Sequence, residues 1–396
     1  MEVKIKTLTP LWTGGVETGK CDHIHETGIL GSLRWWMEVL VRGVGGHVKD
    51  PTAEKSEHRS GLNPNEFDAK IYRQLQDEFE RRKYLRNAGL CDVSQIFGAT
   101  GWKHRFRLEI QDIQVTDASV QHPMKANRTY TDKQGNQKTP TWYFPDAKSP
   151  NAPKTGTFVL KIQSLHPGFN PNIIGGLIQF IADWSALGAR PQMGFGVIQV
   201  EGIRIDTQPL YDWLITTVGS HTYPDLPSPQ NIFLAQIQPK DPNSSFKEED
   251  TFNLKYDLRQ LFRTQQITPQ QQNQSNKPIT KKDKDSGNNK EKEEQELRHF
   301  IMGIEKDNCQ AAKIKVSRSY NDDKLMRIWG WVPTKAEVYK NGWSREKIVD
   351  AICQHLKAHY TLHGWREMNL ERDTVTANQT DVQAFLRSLL QLQENG

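Results

Sequence analysis

The spacing of apolar residues along the first 206 positions alternates between two periods, and the order of these changes constrains the fold most strongly. Apolar residues alternate over 2–8, which predicts a strand, and recur at helical spacing over 28–42, which predicts an amphipathic helix. Later segments predict strands over 102–110, 157–163 and 197–205 and a helix over 171–187. The order β-α-β-β-α-β is that of the ferredoxin-like fold, an α+β architecture.

The second half of the chain repeats this order in a shorter form. The predicted strands lie over 232–238, 311–318 and 325–332, and the predicted helices over 255–263, 345–360 and 381–392. Short sequences also recur in the same order, because SLR at 32–34 corresponds to DLR at 257–259, and QIFG at 95–98 to HFIMG at 299–303. Such a repeat predicts two ferredoxin-like domains. Their expected bounds are 1–206 and 231–396, with a Pro-rich linker at 207–230.

Two polar segments interrupt the pattern. Residues 265–296 are rich in Gln, Asn, Lys and Glu and nearly free of large apolar side chains. Such a segment cannot bury enough apolar surface to offset its ordering entropy, so it predicts a disordered insertion in the second domain. The stretch 129–155 is also polar and Pro-rich, and it predicts an excursion with a hairpin tip.

Composition excludes several classes of protein. The four cysteines are scattered without a CxxC pair, which argues against a zinc ribbon or a disulfide framework and fits a reducing cytoplasm. No window approaches eighteen apolar residues, so we expect no membrane span and no membrane partner. Neither GxGxxG nor GxxxxGK[ST] occurs, and we expect no cofactor. The net charge of +5 is compatible with nucleic acid without requiring it.

A glycine-rich loop lies between a predicted helix and a predicted strand at 188–196. Gly188, Gly194 and Gly196 let the backbone turn tightly and bring its amides close to a phosphate chain. Arg190 and Gln192 would add side-chain donors. The alternative interpretation is a helix C-cap followed by a tight turn.

The first predicted helix carries a polar stripe. Arg34, Glu38 and Arg42 are spaced at i, i+4 and i+8, which is typical of ion pairing on a solvated face. Alternatively, Arg34 reaches an RNA phosphate near the helix N-terminus, where the dipole favours anions. Trp36 falls on the apolar stripe and is expected in the core, whereas Trp35 is either a packed side chain or a base-stacking platform.

Two predicted strands carry cations on one face. A sheet with one basic, open face is how several RNA-binding modules meet their ligand. The water-facing side of any antiparallel sheet has the same pattern, so both interpretations stay open. The cations are Lys103, Arg105 and Arg107 in the first half, and Lys313, Lys315 and Arg318 in the second.

Histidines near the first helix offer a further possibility. Cys21, His23 and His25 alternate, but no second ligand pair is evident, and we therefore expect no metal site. RNA cleavage needs a positioned base and an acid, and the spacing singles out no such pair. We expect no catalytic residues.

Four segments together resemble the RAMP superfamily. They are LTPLWTGG at 8–15, GSLRWW at 31–36, IFGATGW at 96–102 and the loop at 188–196. The first two are specific to the family of the first RAMP subunit of the type III-B CRISPR Cmr complex. In the second half, LRQLFR, RHFIMG and RIWGWVP resemble the same family.

The resemblance implies a non-nuclease subunit with two ferredoxin-like domains. Such a subunit lies near the 3′ end of the CRISPR RNA, assembles with other RAMP subunits and aids capture of target RNA in antiviral defence. By matching motif, Ser32, Leu33 and Arg34 fall in the helix that faces RNA, and Arg190 and Gln192 in the glycine loop. The tip of 129–155 would be an RNA-wedging hairpin. The alternative is a RAMP endoribonuclease that processes CRISPR transcripts with a histidine base such as His25.

Overall fold

The protein has a mixed α+β architecture built on antiparallel sheets. The computed structural model describes residues 1–15, 17, 20–49, 59–120, 124–132, 134–142, 152–262, 281–304, 310–369, 371–375 and 381–392. None of the helices within these ranges is long and apolar enough to cross a membrane.

The first half contains one four-stranded sheet and six helices among its described residues. The elements are β1 (Glu2–Thr7), α1 (Glu26–Gly43), α2 (Ala69–Gln74), α3 (Glu78–Asn87), α4 (Asp92–Phe97), β2 (Phe106–Asp117), β3 (Met124–Lys125), β4 (Tyr130–Thr131), β5 (Gln137–Lys138), β6 (Thr141–Trp142), β7 (Lys154–Ser164), α5 (Asn172–Trp184), β8 (Ile198–Val200) and α6 (Gln208–Ile215). The strand order is β2-β7-β1-β8.

The second half contains a sheet of the same size. The elements are β9 (Ile232–Pro239), α7 (Asp250–Gln260), α8 (Lys281–Met302), β10 (Ile314–Val316), β11 (Met326–Trp331), α9 (Arg345–His359), β12 (Tyr360–Arg366) and α10 (Val382–Leu389). The strand order is β10-β11-β9-β12, and all neighbouring pairs in both four-stranded sheets are antiparallel. When the four strands of each sheet are counted in chain order, the first strand therefore lies between the third and the fourth, and the second strand lies at the edge.

The periodicity of β1 and α1 predicts their buried faces correctly. Val3 and Ile5 in β1 are buried and pair with β7, where Ile5 lies opposite Phe158. On α1, the apolar stripe that includes Leu33 and Trp36 is also buried in the core. Burial of such side chains contributes about 1.5–3 kcal/mol each, which holds α1 against the sheet.

Strand β2 begins later than the alternation predicts. The alternating pattern starts at Trp102, but the strand starts at Phe106. Before it, Ala99 and Trp102 form a tight backbone bridge, so the chain at 99–105 is a turn and not a strand. The prediction that residues 102–105 belong to the strand is therefore wrong.

The two polar segments are partly described. Within 129–155, β4 pairs with β5 around a turn at Asp132, so the predicted hairpin tip is confirmed, while 133 and 143–151 lie outside the described residues. Of the predicted insertion, 265–280 lies outside the described residues. The remainder, 281–296, is helical in α8, which differs from the disorder predicted there. Lys and Glu are good helix formers, and Leu297 and Ile301 anchor the end of α8 in the second core.

Two segments of the chain, α10 and the predicted linker, pack on the first half. Helix α10 packs on the first half, where Trp184 Nε1 donates to the Leu389 carbonyl at 3.1 Å and Thr207 Oγ1 to the Leu390 carbonyl at 2.7 Å. The predicted linker at 207–230 contains α6 and then packs back on α1, where Pro229 lies against Gly43. The C-terminal helix thus fixes the second half against the first.

Candidate nucleic-acid interface

The glycine loop at 188–196 is held by hydrogen bonds from its own backbone. The Gly188 amide donates to Ser32 Oγ at 3.0 Å, and the Gly196 amide donates to the Pro10 carbonyl at 2.8 Å. Between them, the amides of Ala189, Met193 and Gly194 also donate to carbonyl oxygens of the protein. The expectation that this loop offers these amides to a phosphate is wrong, because each already has an acceptor.

Glycine is required in this loop by close backbone contacts. Gly188, Gly194 and Gly196 have φ angles of 83°, 83° and 91°, in the left-handed region that favours glycine. A Cβ on Gly196 would lie 2.1 Å from the Leu187 carbonyl oxygen, and one on Gly194 would lie 2.7 Å from the Arg318 amide nitrogen. The alternative interpretation, a tight turn after a helix, describes the loop correctly.

The loop also contacts the second half. Within it, Pro191–Met193 forms a single 3-10 turn that lies against β10. The Arg318 amide donates to the Gly194 carbonyl at 2.9 Å, and Lys255 Nζ donates to the Gln192 carbonyl. The Gln192 side chain is exposed.

Arg190 occupies an unusual position in the loop. Its φ of 56° is left-handed, which is uncommon for a residue other than glycine. The guanidinium carbon lies 4.0 Å from the centroid of the Trp12 ring, a cation–π contact. Burial lowers the pKa of the Arg190 guanidinium. The contact between Arg190 and Trp12 therefore holds the loop against the segment that follows β1.

A cavity of about 430 Å³ lies where α1, the glycine loop and the second sheet meet. Four tryptophans line it, Trp35 and Trp36 from α1 and Trp329 and Trp331 from β11. Lys315 on β10 adds a cation to this wall, its Nζ lying 5.9 Å from the Trp35 ring centroid. The other lining residues are Gly28, Gly31, Ser32, Ser185, Ala186, Gly188, Ala189 and Pro191.

Lys315 on β10 and Lys313, just before this strand, lie in poorly hydrated surroundings. Burial, together with the nearby Lys313 charge, lowers the pKa of Lys315 to about 8. Burial also lowers the pKa of Lys313 to about 8. Lys313 Nζ lies 3.7 Å from the Phe300 ring centroid and faces a second cavity of about 720 Å³, which shares the Trp331 wall. Within the described residues neither ammonium group forms an ion pair, because Lys313 Nζ donates to the Phe300 carbonyl at 3.1 Å and Lys315 Nζ to the Lys313 carbonyl at 3.2 Å. Asp225 and Glu337 also line the second cavity, so Lys315 is the lysine better suited to an anionic ligand.

The structure brings together part of the set predicted from sequence. Ser32, Trp35, Gly188 and Lys315 line one cavity. Arg190 and Gln192 follow Gly188 and Ala189 along the same loop, and Gly194 and Gly196 shape its return. The cavity is thus the place where the helix motif, the glycine loop and the second basic strand converge.

Arg34 and Arg42 point elsewhere. Arg34 donates to Glu38 Oε1 at 3.1 Å, to the Gly98 carbonyl at 2.8 Å and to Ser94 Oγ at 2.7 Å. Arg42 is 8% exposed and donates to Glu38 Oε2 at 3.0 Å and to the Pro227 carbonyl at 3.2 Å. Ion pairing along the stripe is therefore confirmed, but the stripe is buried against α4 and the linker instead of solvated.

The basic residues before and within β2 do not form one basic face. Arg105 is 6% exposed and its guanidinium contacts Glu78 Oε1 at 2.6 Å beneath α3. Lys103 is exposed but precedes the strand, and Arg107 pairs with Glu109 at 2.9 Å on the strand surface. The interpretation of these three cations as one sheet face is wrong, because the chain turns before Phe106.

In the second half, Arg318 is separated from the lysines by its own ion pair. Its Nη2 contacts a carboxylate oxygen of Glu248, and its side chain is 13% exposed. Lys313 and Lys315 face the two cavities on either side of Trp331. Of the three cations that the sequence predicted for one sheet face, the two lysines therefore line cavities and the arginine does not.

Sequence reasoning missed the two tryptophans of β11. Trp329 and Trp331 are two residues apart on one strand, so both point to the same face. Trp329 also lies opposite Lys315 across the β10–β11 pair. This alternation is visible in the sequence as RIWGW, but the pairing that sets it against Lys315 is not.

A cluster of two histidines and an aspartate lies just before α1. Asp22 Oδ1 contacts His25 Nε2 at 2.6 Å, and Asp22 Oδ2 contacts His23 Nδ1 at 3.0 Å. The hydrogen bond with His25 holds the pKa of the Asp22 carboxyl below its usual range. Asp22 was not singled out by the sequence pattern, which drew attention to Cys21 instead.

Comparison with known proteins gives one family and several solved structures. The model of the RAMP superfamily matches residues 4–199. No curated protein matches the chain. The chain is similar to Cmr1 from Pyrococcus furiosus, in its apo crystal form, with 11% identity, a TM-score of 0.39 and coverage of 91% of this chain and 93% of that one.

Two other solved structures are also similar. A chain of the type III-B Cmr-beta complex bound to cognate target RNA and AMPPnP has 11% identity and a TM-score of 0.36, covering 90% of this chain and 98% of that one. Cmr6 from Pyrococcus furiosus has 14% identity and a TM-score of 0.23, covering 51% of this chain and 97% of that one.

The backbone contact at Gly196 gives a matched test of the loop. Gly196→Ala adds a left-handed alanine and a contact 2.1 Å from the Leu187 carbonyl oxygen, whereas Gly202→Ala adds a left-handed alanine, at φ 88°, with no atom within 4 Å. We expect Gly202→Ala to lower the free energy of unfolding by about 1–2 kcal/mol and Gly196→Ala by clearly more. Urea unfolding of the two variants measures the difference. Equal losses would show that the contact at Leu187 is unimportant.

Proposed function

We propose, because the chain belongs to the RAMP superfamily across residues 4–199, that it is a non-catalytic RNA-binding subunit of a type III-B CRISPR effector complex. In this proposal it lies near the 3′ end of the CRISPR RNA in the cytoplasm, assembles with other RAMP subunits and aids capture of target RNA in antiviral defence. The motifs at 8–15 and 31–36 support the assignment to the Cmr complex.

The fold supports a duplicated RAMP architecture. Both halves have strands and helices in the order β-α-β-β-α-β, apart from the insertions, and the same order of strands within the sheet. This is the arrangement of a ferredoxin-like unit. We therefore propose two ferredoxin-like domains at 1–206 and 231–396, with α10 of the second packing on the first.

The observation that carries the RNA-binding proposal is the aromatic cavity between the halves. Single-stranded RNA is recognised by stacking of unpaired bases on aromatic side chains and by cations along the backbone. The partly buried rings of Trp35 and Trp331 supply stacking surfaces, and Lys315 supplies a cation at the same wall. The cavity of about 430 Å³ is of the size that holds a small organic ligand such as a nucleobase.

The proposed surface differs from the one expected from sequence. Arg34, Arg42 and Arg105 are not included, because each is committed to partners inside the protein. The surface comprises Ser32, Trp35, Gly188, Lys313, Lys315, Trp329 and Trp331. Arg190 and Gln192 lie outside the cavity lining, because Arg190 packs on Trp12 and the Gln192 carbonyl accepts from Lys255. Its members come from both domains, so RNA bound there would contact both.

RNA binding by single-site variants tests this surface. We expect Lys315→Met to weaken binding of a single-stranded RNA and to reduce the slope of log affinity against log salt by roughly 0.7, the value for one lost phosphate contact. Trp35→Leu should make the binding free energy less favourable by about 1–3 kcal/mol, because base stacking on the indole ring is lost. Fluorescence anisotropy between roughly 50 and 200 mM salt measures both effects.

Lys103→Met is the matched control for Lys315→Met. Lys103 is an exposed lysine before β2 and lies outside the cavity lining. We expect the RNA affinity of the Lys103→Met variant to stay close to that of the unmodified chain. Thermal unfolding should show that all three variants fold. Unchanged affinity in Lys315→Met and Trp35→Leu, with a loss in Lys103→Met, would move the RNA to the surface around β2.

The lowered pKa of Lys315 predicts a pH dependence. Its pKa of about 8 means that the ammonium charge is largely present at pH 7 and is lost as the pH rises toward 9. Because the charged form attracts phosphate, RNA affinity should fall over this interval, and it should fall less in Lys315→Met. Lys313, also with a pKa of about 8, would account for a residual decrease. Identical pH profiles for both proteins would exclude Lys315 as the titrating contact.

A second candidate function is suggested by the Asp22–His25 hydrogen bond. A histidine held by a carboxylate is the arrangement of a general base and its orienting group, which an endoribonuclease acting on CRISPR transcripts would need. We expect no site-specific cleavage when the purified chain is incubated with repeat-containing RNA without metal. Cleavage that disappears in His25→Ala would replace the non-catalytic proposal by this one.

A further inference from the structure

We propose that Asp22, His23 and His25 bind one divalent transition-metal ion of the zinc class. The donor atoms of these three side chains all lie within 4.8 Å of one another, and within the described part of the chain they form a group that could hold a metal. This inference stands on local geometry and does not depend on RNA binding.

The donor atoms are already close to the spacing of a metal site. Asp22 Oδ1 lies 2.6 Å from His25 Nε2, and Asp22 Oδ2 lies 3.0 Å from His23 Nδ1. Ligands at about 2.0–2.1 Å around a tetrahedral ion are roughly 3.3 Å apart, so the nitrogen of His23 needs to move away from the carboxylate by about 0.3 Å and that of His25 by about 0.7 Å. The two imidazole rings, with centroids 3.7 Å apart, would splay as the ion takes the place of the shared hydrogen bonds.

The backbone of this turn is held in place before any metal binds. The Thr13 hydroxyl donates to the His23 carbonyl at 3.2 Å and accepts from the His25 amide at 2.9 Å. Thr13 is 8% exposed, so one buried hydroxyl fixes the backbone beside two of the three ligands. Gly15 completes the turn, because a Cβ there would lie 2.7 Å from Asp22 Oδ1.

The donor set selects the class of ion. Two imidazole nitrogens and one carboxylate oxygen suit Zn²⁺ and its neighbours Co²⁺ and Ni²⁺, whereas Mg²⁺ and Ca²⁺ prefer oxygen ligands throughout. The side chains of Asp22 and His23 are 55% and 57% exposed, so water can fill the fourth coordination position. Such a site would lie in the turn before α1 and include the residue that caps this helix, His25, and later residues of the helix line the aromatic cavity.

Metal binding also changes the chemistry available to His25. A nitrogen that donates its lone pair to a metal cannot at the same time accept a proton as a general base. The metal site and the endoribonuclease candidate therefore make opposite predictions for the same side chain, whereas RNA binding in the aromatic cavity is compatible with either.

The test uses the full-length chain without a histidine tag. Equilibrium dialysis against Zn²⁺ with metal analysis should give one equivalent per chain, and Co²⁺ should produce the intense visible bands of a four-coordinate ion. His23→Ala and Asp22→Asn should each weaken the affinity by at least about tenfold, since the first removes one of three protein ligands and the second replaces a charged carboxylate by a neutral amide. Both residues are more than half exposed, so the variants should unfold at the same temperature as the unmodified chain in the presence of a chelator.

His359→Ala is the matched control. Its ring lies 4.3 Å from that of His355 on α9, so this is another pair of neighbouring histidines, and His359 is exposed. We expect metal affinity to change by less than about twofold in this variant. Absence of saturable uptake, full affinity in both His23→Ala and Asp22→Asn, or loss of uptake only in His359→Ala would overturn the proposal. None of these results bears on RNA affinity, which is measured separately.

Discussion

Close packing of the glycine-loop backbone is the constraint on which the rest of the structure depends. The loop contacts the segment that follows β1 through Pro10 and Trp12, α1 through Ser32, and the second half through Arg318. These contacts need left-handed φ angles and leave no space for side chains at the glycines. Because backbone groups make the contacts, one short loop joins the first sheet, the first helix and the second half.

The position of the aromatic cavity follows from this packing. The loop sets α1 against β10 and β11, so tryptophans from two distant parts of the chain face one space beside Lys315. The same packing removes water from the lysine, which lowers its pKa. A phosphate group near that ammonium would return part of the lost solvation, and we regard this as the physical basis of the proposed RNA contact.

The local periodicity of the sequence predicted much of the fold. It predicted few of the hydrogen bonds and ion pairs that individual side chains form. The buried faces of β1 and α1 follow from alternation and from helical spacing, both of which are properties of neighbouring residues. The roles of Arg34 and Arg105 could not be predicted in this way. Their partners at Gly98 and Glu78 lie far along the chain, and only the folded backbone brings them together.

The same limit applied to the candidate site. The sequence identified Trp35, Lys315 and the glycine loop separately, but the cross-strand pairing of Lys315 with Trp329 is a matter of register. The glycines correctly predicted an unusual backbone conformation. The sequence did not show that the amides of this backbone bond within the protein. A glycine pattern alone does not distinguish amides that contact a ligand from amides that pack within the protein.

Hydrogen–deuterium exchange with and without single-stranded RNA shows where RNA binds, since it reports on all segments of the folded chain at once. If RNA binds in the aromatic cavity, exchange should slow in three segments that are separate in sequence and meet at the cavity, namely 28–36, 185–191 and 313–331. Protection confined to the surface around 103–107, or protection of one half of the chain only, would contradict it.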